Sequence, residues 1–171
     1  TTDNSYYQLK PNESVRLTTS MHYRFLGVTI GFSPDFIDGN ADNDLKGKTD
    51  INSIRLRLFI KRFIQEFEHY KIRGFYVENT ADYVSDWTEG TDPYLQLNNL
   101  RLKRFGGRTS FVWNGNFSYK ALLVQNQKQT KSAGSFVPSI SYFYSELSNP
   151  DNNIISADET NFDVNINAGY I

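Results

Sequence analysis

The sequence predicts an all-β chain, an antiparallel up-and-down transmembrane β-barrel that is incomplete, with about eight strands present. Three observations lead there. Apolar and polar residues alternate with period two along most of the chain. The connections between the alternating segments switch between tight and long. Finally, 13 Phe, 11 Tyr and 2 Trp accompany a negative mean hydropathy, with no apolar run long enough for a membrane helix. A barrel strand alternates lipid-facing and lumen-facing residues, so its average hydropathy cancels.

The alternation can be followed segment by segment. Val15, Leu17, Thr19, Met21, Tyr23 and Phe25 share one face, while Arg16, Thr18, Ser20, His22 and Arg24 share the other. Val28, Ile30 and Phe32 continue the apolar set, followed by Ile54, Leu56, Leu58 and Ile60 against Arg55, Arg57 and Lys61. Phe117, Tyr119, Ala121 and Leu123 alternate with Ser118, Lys120 and Leu122 and read as a further strand. So do Ile140, Tyr142 and Tyr144, and then Phe162, Val164, Ile166, Ala168 and Tyr170 against an Asn-rich face. Residues 63–79 change phase, with Phe63 and Phe67 in one parity and Tyr70, Ile72 and Tyr76 in the other. A β-bulge would do that. A helix over 54–67 competes, but the β-branched and aromatic content favours strand.

Connections carry the topology. Residues 24–27, 61–63 and the Asn114-Gly115 pair read as tight turns, the last as a two-residue hairpin. Residues 34–48, 80–94 and 126–134 read as long loops. Outer-membrane barrels show this rhythm, with short turns on one rim and long loops on the other. Residues 148–159 break it, being long where a short turn is due. Phe25, Trp113, Phe117, Tyr142 and Tyr144 should gather at the short-turn rim, and Phe32, Tyr76 and Tyr94 at the other. The rhythm also asks for a strand before residue 13, and residues 5–10 are too few for a crossing of about 9–11 residues. The expectation is one domain, residues 1–171, with strands missing at both ends.

Charge is segregated along the chain. No acidic residue falls between Asp92 and Glu146, a stretch holding Arg101, Lys103, Arg104, Arg108, Lys120, Lys128 and Lys131. Residues 78–93 are the reverse, with Glu78, Asp82, Asp86, Glu89 and Asp92 and no base. The net charge of −1 argues against general nucleic-acid affinity. No cysteine is present, so there is neither a disulfide framework nor a thiolate metal site.

Residues 111–136 carry recognisable text. Asn114, Phe117 and Ser118 form an Asn-x-x-Phe-Ser element, and Gln129, Lys131, Ser132, Ala133, Gly134 and Ser135 follow as Gln-x-Lys-Ser-Ala-Gly-Ser. Lys10-Pro11-Asn12 and the run His22 to Val28 add to it. In these residues the chain resembles an uncharacterised outer-membrane β-barrel family of the Bacteroidota, domain of unknown function family 4421. The resemblance covers most of the chain. It implies an exported barrel in a bacterial outer membrane, longer than this chain, and no reaction.

Few residues suggest chemistry. Asp38, Asn40, Asp42 and Asp44 place oxygen side chains at alternate positions, as a calcium loop does, but Asn43 stands where the central Gly belongs and Thr49 where the closing Glu belongs. The match is partial, and no other cofactor is implied. His22 lies beside Ser20 on one face, too little for a nucleophile pair, so the chain is not expected to be an enzyme. Arg16, Arg24, Arg55 and Arg57 with Glu66 and Glu68 are the candidates for a charge network in the lumen. Lys128 and Lys131, in a loop expected outside, are candidates for contact with lipopolysaccharide phosphates. Expected partners are outer-membrane lipid, lipopolysaccharide and other outer-membrane proteins. The alternatives are a soluble β-sandwich or lipocalin-like binding module, which would bury its apolar faces in a core, and an outer-membrane barrel enzyme.

Overall fold

The computed structural model describes residues 6–12, 15–34, 42–124, 128–151 and 156–171. Eight strands are joined in one antiparallel sheet: β1 (Leu9–Lys10), β2 (Leu17–Tyr23), β3 (Leu26–Phe32), β4 (Asp50–Ile60), β5 (Phe63–Val77), β6 (Leu95–Phe111), β7 (Phe136–Ser148) and β8 (Asp158–Tyr170). The order β2 to β8 follows the sequence, so the sheet is up-and-down; β1 pairs with the far end of β5. The predicted all-β antiparallel class holds. The sheet is not closed, and among the described residues the outer edges of β2 and β8 pair with no strand. Residues 54–67 form two strands of a hairpin, not a helix.

Register sorts the side chains onto two faces, because antiparallel partners point the same way. One row runs Met21, Val28, Leu56, Phe67, Gly107, Tyr142, Val164 across seven strands. The next runs Ile30, Ile54, His69, Phe105, Tyr144, Phe162. These belong to an apolar face left largely open: Met21, Ile54, Phe105, Phe162 and Ile166 are exposed, the last at 80%. The opposite face carries Arg55, Glu68, Gly106, Phe143 and Asp163 in one row, and Arg57, Glu66, Arg108, Ser141 and Asn165 in the next. Leu17, Met21, Tyr23, Ile30, Leu56, Leu58, Ile140 and Val164 thus share one face, and Arg55, Arg57, Asn165 and Asn167 the other, as the alternation requires.

Along β4 the apolar stretch runs from Ile54 to Ile60, and along β7 from Phe136 to Tyr144. At about 3.4 Å per residue that is a band roughly 20–27 Å long, measured along the strands. Aromatics edge it on both sides. At the tight-turn end stand Tyr23, Phe63, Phe111 and Trp113, with Phe63 and Phe111 ring centroids 5.0 Å apart. At the other edge stand Phe32, Phe105, Tyr144 and Phe162. Tyr142 and Tyr144 are therefore not at the tight-turn rim as expected; β7 runs away from that rim, and these residues lie six and eight positions along it from Phe136. Beyond the far edge the same face turns charged, with Lys71, Lys103 and Glu146 in one row and a 3.0 Å Lys103–Glu146 ion pair.

A small core lies at the long-loop end of the polar face. Ile51, Ile72, Phe75, Val77, Leu97, Leu100 and Ala157 are buried there against Leu9, Tyr83 and Leu147. The β5–β6 register shifts at this end, between Arg73 and Phe75, but it is unbroken from Phe63 to Arg73. The change of phase between Phe67 and Tyr70 is therefore not a bulge: Tyr70 and Ile72 are apolar because the core lies on the opposite face there. Gly74 sits at φ +90, and a Cβ on it would fall 2.1 Å from the Lys48 carbonyl oxygen. Its own carbonyl accepts from the Thr49 hydroxyl at 2.8 Å, which in turn accepts from the Asn12 amide at 2.8 Å.

One expected strand is absent. Residues 117–124 lie in the β6–β7 connection, where α2 (Tyr119–Val124) forms. Asn114-Gly115 does turn the chain, with Phe117 N on the Asn114 carbonyl at 3.1 Å, but it joins no hairpin. Ser118 caps the helix, its hydroxyl accepting from Ala121 N at 3.2 Å. Lys120, Ala121, Leu122 and Leu123 are good helix formers. Capping and propensity outweigh the period-two pattern, so Tyr119 and Leu123 do not join the apolar sheet face. The rims change accordingly. Phe111 pairs with Phe63, so connection 112–135 shares a rim with the tight turns Arg24-Phe25 and Lys61-Arg62. Connection 149–157 joins the long-loop rim with 33–49 and 78–94. The exception at 148–159 moves to connection 112–135, longer than any loop of the opposite rim, and the loop 126–134 goes with it to the tight-turn rim.

Candidate functional site

The polar face holds a lattice of charges set by register. Arg55 and Glu68 are direct antiparallel neighbours, as are Arg57 and Glu66. Arg55 donates from both Nε and Nη2 to one Glu68 oxygen, at 3.0 and 2.7 Å. Arg57 Nε donates to Glu66 Oε1. Arg108 lies opposite Glu66 across the next strand pair and donates to the Ser141 hydroxyl at 3.0 Å. A groove of about 280 Å³ runs between Arg55, Glu66, Glu68, Arg108 and Phe143. Arg104 lies 4.0 Å over the Phe143 ring. Partly exposed ion pairs of this kind contribute about 0–1 kcal/mol each; the lattice sets the charge of the face more than it stabilises the sheet.

Arg16 reaches this lattice across β3. Its Nη2 donates to Ser53 Oγ at 2.7 Å, and its guanidinium sits 5.4 Å from the Tyr70 ring centroid. Gly31 makes the crossing possible, since a Cβ there would lie 2.7 Å from Ser53 Oγ and 3.1 Å from Arg16 Nε. Arg24 does not join. It occupies the β2–β3 turn at φ 50 and lies 5.3 Å over the Tyr23 ring. Ser20 bonds Thr29 across the strand pair at 3.0 Å. Arg104, Arg108, Ser53, Ser141 and Phe143 were missed in the sequence; only register shows which of two parities in β6 and β7 matches Arg55.

The apolar face also carries polar groups, His69 among them, and one cluster of these bonds internally. Gln65 Nε2 donates to Tyr142 Oη at 2.9 Å, and Thr109 Oγ1 donates to Gln65 Oε1 at 2.6 Å.

The two stretches that carry the family resemblance converge at the tight-turn rim. Asn114 N donates to Ser135 Oγ at 2.9 Å, and Asn114 Nδ2 to the Gly134 carbonyl at 2.8 Å. Ser118 N donates to Gln129 Oε1 at 3.0 Å, and Gln129 Nε2 to the Lys131 and Ala133 carbonyls at 3.0 Å. Lys120 Nζ donates to the Arg24 carbonyl and lies 5.8 Å over the Phe59 ring, so α2 folds back across the polar side of the sheet. Two hollows result. One, of about 300 Å³, is bounded by Phe59, Lys61, Arg62, Ile64, Val112 and the start of α2. The other, of about 560 Å³, is lined by Asn114, Asn116, Ser118, Lys128, Gln129, Thr130 and Lys131. Lys128 and Lys131 thus stand beside the tight turns, not among the long loops.

Of the calcium candidates, Asp38 and Asn40 lie outside the described residues. Asp42 is paired with Lys46 at 2.7 Å, and Asp44 lies in the first turn of α1 (Asn43–Lys46). The Lys46 ammonium beside it holds the Asp42 carboxyl below the usual range, and Asp42 raises Lys46 in return. Nearby, burial pushes the Tyr94 phenol up, with Glu89 adding to it. Among the described residues no three His, Asp or Glu side chains gather as a metal site.

No curated protein and no solved structure matches the chain. A family model does, over residues 1–171, and the chain belongs to that family, the domain of unknown function DUF4421.

Proposed function

We propose that this chain forms wall of an outer-membrane β-barrel in a Gram-negative bacterium of the Bacteroidota. Its role is structural, transport-related or accessory to a larger membrane complex, and it carries no catalysis of its own. The observation that supports this is the exposed apolar band. Soluble monomers rarely expose a contiguous apolar patch above a few hundred Å², whereas a barrel wall presents an apolar belt about 25 Å tall between aromatic girdles. With the usual barrel tilt the band stands roughly 15–20 Å tall, somewhat short of that belt, and it has both girdles and a charged collar beyond one of them. Its Gln65–Thr109–Tyr142 cluster bonds internally, as lipid demands of any polar group it surrounds. The wall is completed across the free edges of β2 and β8, because an open edge in lipid leaves backbone groups unsatisfied.

In this reading lipid is the direct partner, and other outer-membrane proteins meet the complete wall. The tight-turn rim faces the periplasm and the long loops face out. That places Lys128 and Lys131 away from the outer leaflet, so lipopolysaccharide is not their partner.

The test uses the whole gene product in its own cells. It should fractionate with outer membranes, resist carbonate extraction and shift in mobility on heating in detergent. External protease should cut within 78–94 and spare 112–135. Recovery of the folded protein in buffer without detergent would reject the reading in favour of a soluble module.

A further inference from the structure

We infer that the tight-turn rim is a binding site for a soluble phosphorylated polyol, its phosphate seated between the Lys61-Arg62 turn and α2. Charge carries the first half of this. Lys61, Arg62 and Lys120 border the smaller hollow. No Asp or Glu occurs in the connections 24–25, 61–62 or 112–135 that build this rim. Lys10, Lys46, Lys103, Arg55 and Arg57 each meet a carboxylate, and Arg16, Arg104 and Arg108 a hydroxyl or a ring; among the described residues Lys61, Arg62 and Lys120 meet no carboxylate. Three like charges beside the apolar walls of Phe59 and Ile64 favour an anion strongly. A dianionic phosphate balances them better than a single carboxylate.

Two of the cations are also placed by their neighbours. Arg62 lies against Gly115, where an added Cβ would fall 3.1 Å from its guanidinium. Lys120 is fixed by the Arg24 carbonyl and the Phe59 ring. A planar guanidinium fork and two ammonium groups are the usual grip on phosphate oxygens. The second half of the ligand is read from the larger hollow, which shares Asn116 and Ser118 with the first. Its lining of amides, hydroxyls and Lys128 suits a body of many hydroxyls rather than an apolar one.

The source of the phosphate follows from the faces. Phe59 and Ile64 lie on the polar face, opposite the apolar band. A lipid headgroup would come from the band side and not reach them, so the ligand is soluble and arrives along the polar face. The exclusion of lipid and the route along the polar face rest on the barrel reading; the site itself does not.

The experiment is titration of the folded full chain, in detergent or in buffer as its solubility dictates, with four probes: glucose 6-phosphate, inorganic phosphate, glucose, and vesicles of phosphatidylglycerol. Glucose 6-phosphate should bind about tenfold tighter than inorganic phosphate, glucose should not bind, and affinity should fall as salt rises. K61Q/R62Q should lose at least tenfold while keeping the parent's circular dichroism, and K61R should keep the affinity. Silence from both phosphates, equal binding by K61Q/R62Q, or tighter binding to the vesicles than to glucose 6-phosphate would each overturn the proposal. A chain soluble without detergent that still binds would overturn the barrel reading and leave this one standing.

Discussion

Asp42 and Lys46 show how the long-loop rim holds its shape. The pair spans one helical turn, and Gln96 Nε2 bonds the Asp44 and Leu45 carbonyls of the same turn at 3.1 Å. Asp42 is depressed in the folded chain, so its contribution is present above about 3.8 and is lost as pH falls through the lower folded value. Lys46 is raised, so its contribution is full below about 10.5 and is lost as pH climbs through the higher folded value. The order of α1 should therefore stay flat between these limits and fall at both ends. Amide exchange at Leu45 followed against pH reads it, and Asp42→Asn should abolish the acid limb. Single residues were legible where their role depends on parity alone: Arg55 and Arg57 with Glu66 and Glu68 follow from alternation in two neighbouring strands. Arg24 was not. It has the parity of Arg16, but the turn closes at that residue and lifts it out of the face.

Among the elements, β2 to β4 could be read from the sequence because each combines strict alternation with a tight or Asn- and Gly-rich connection. The change of phase within β5 marked where the small core begins on the opposite face, not the β5–β6 bulge, which follows at Arg73 to Phe75. α2 was hidden because six residues are too few for the two periods to separate, and Asn114-Gly115 gives a turn whatever follows it. What decides is local, the Ser118 cap and four helix-favouring residues. Ser118→Ala should remove the cap and cost about 1 kcal/mol, within the roughly 0.5–2 kcal/mol seen for such losses. It should also loosen the Lys120 contact with the β2–β3 turn. Faster amide exchange at Ala121 and Leu122, with the β3–β4 amides unchanged, would show that the loss is confined to this element; unchanged exchange at Ala121 would show that the cap does not hold the helix.

For the whole molecule, the two faces matter more than any site on them. Leu56 stands in the middle of the apolar band, and Asn165 lies on the polar face of β8. Leu56→Arg should cost about 2–4 kcal/mol if the band meets lipid, and Asn165→Arg much less. Urea titration of both variants, refolded into the same lipid vesicles, makes the comparison; equal losses would show that the band is not the lipid-facing side. The all-β class and the two faces were legible because hydrophobic alternation is a property of the chain itself. Which rim a loop belongs to was legible only where every strand had been counted correctly. One false strand at 117–123 moved 126–134 to the wrong rim, and with it the two lysines.

The rims differ in sign. The connections at one end carry Arg24, Lys61, Arg62, Lys120, Lys128 and Lys131, and the connection 78–94 at the other carries Glu78, Asp82, Asp86, Glu89 and Asp92. β5 alone separates them by 15 residues, or about 50 Å. The protein is thus a permanent electric dipole directed along its strands. Copies lying side by side in the same sense set like rim against like rim and push one another apart, while copies in opposite senses attract. At physiological ionic strength the repulsion reaches about 8 Å, one screening length, from each rim. Parallel neighbours therefore repel only at close approach, and added salt weakens that repulsion.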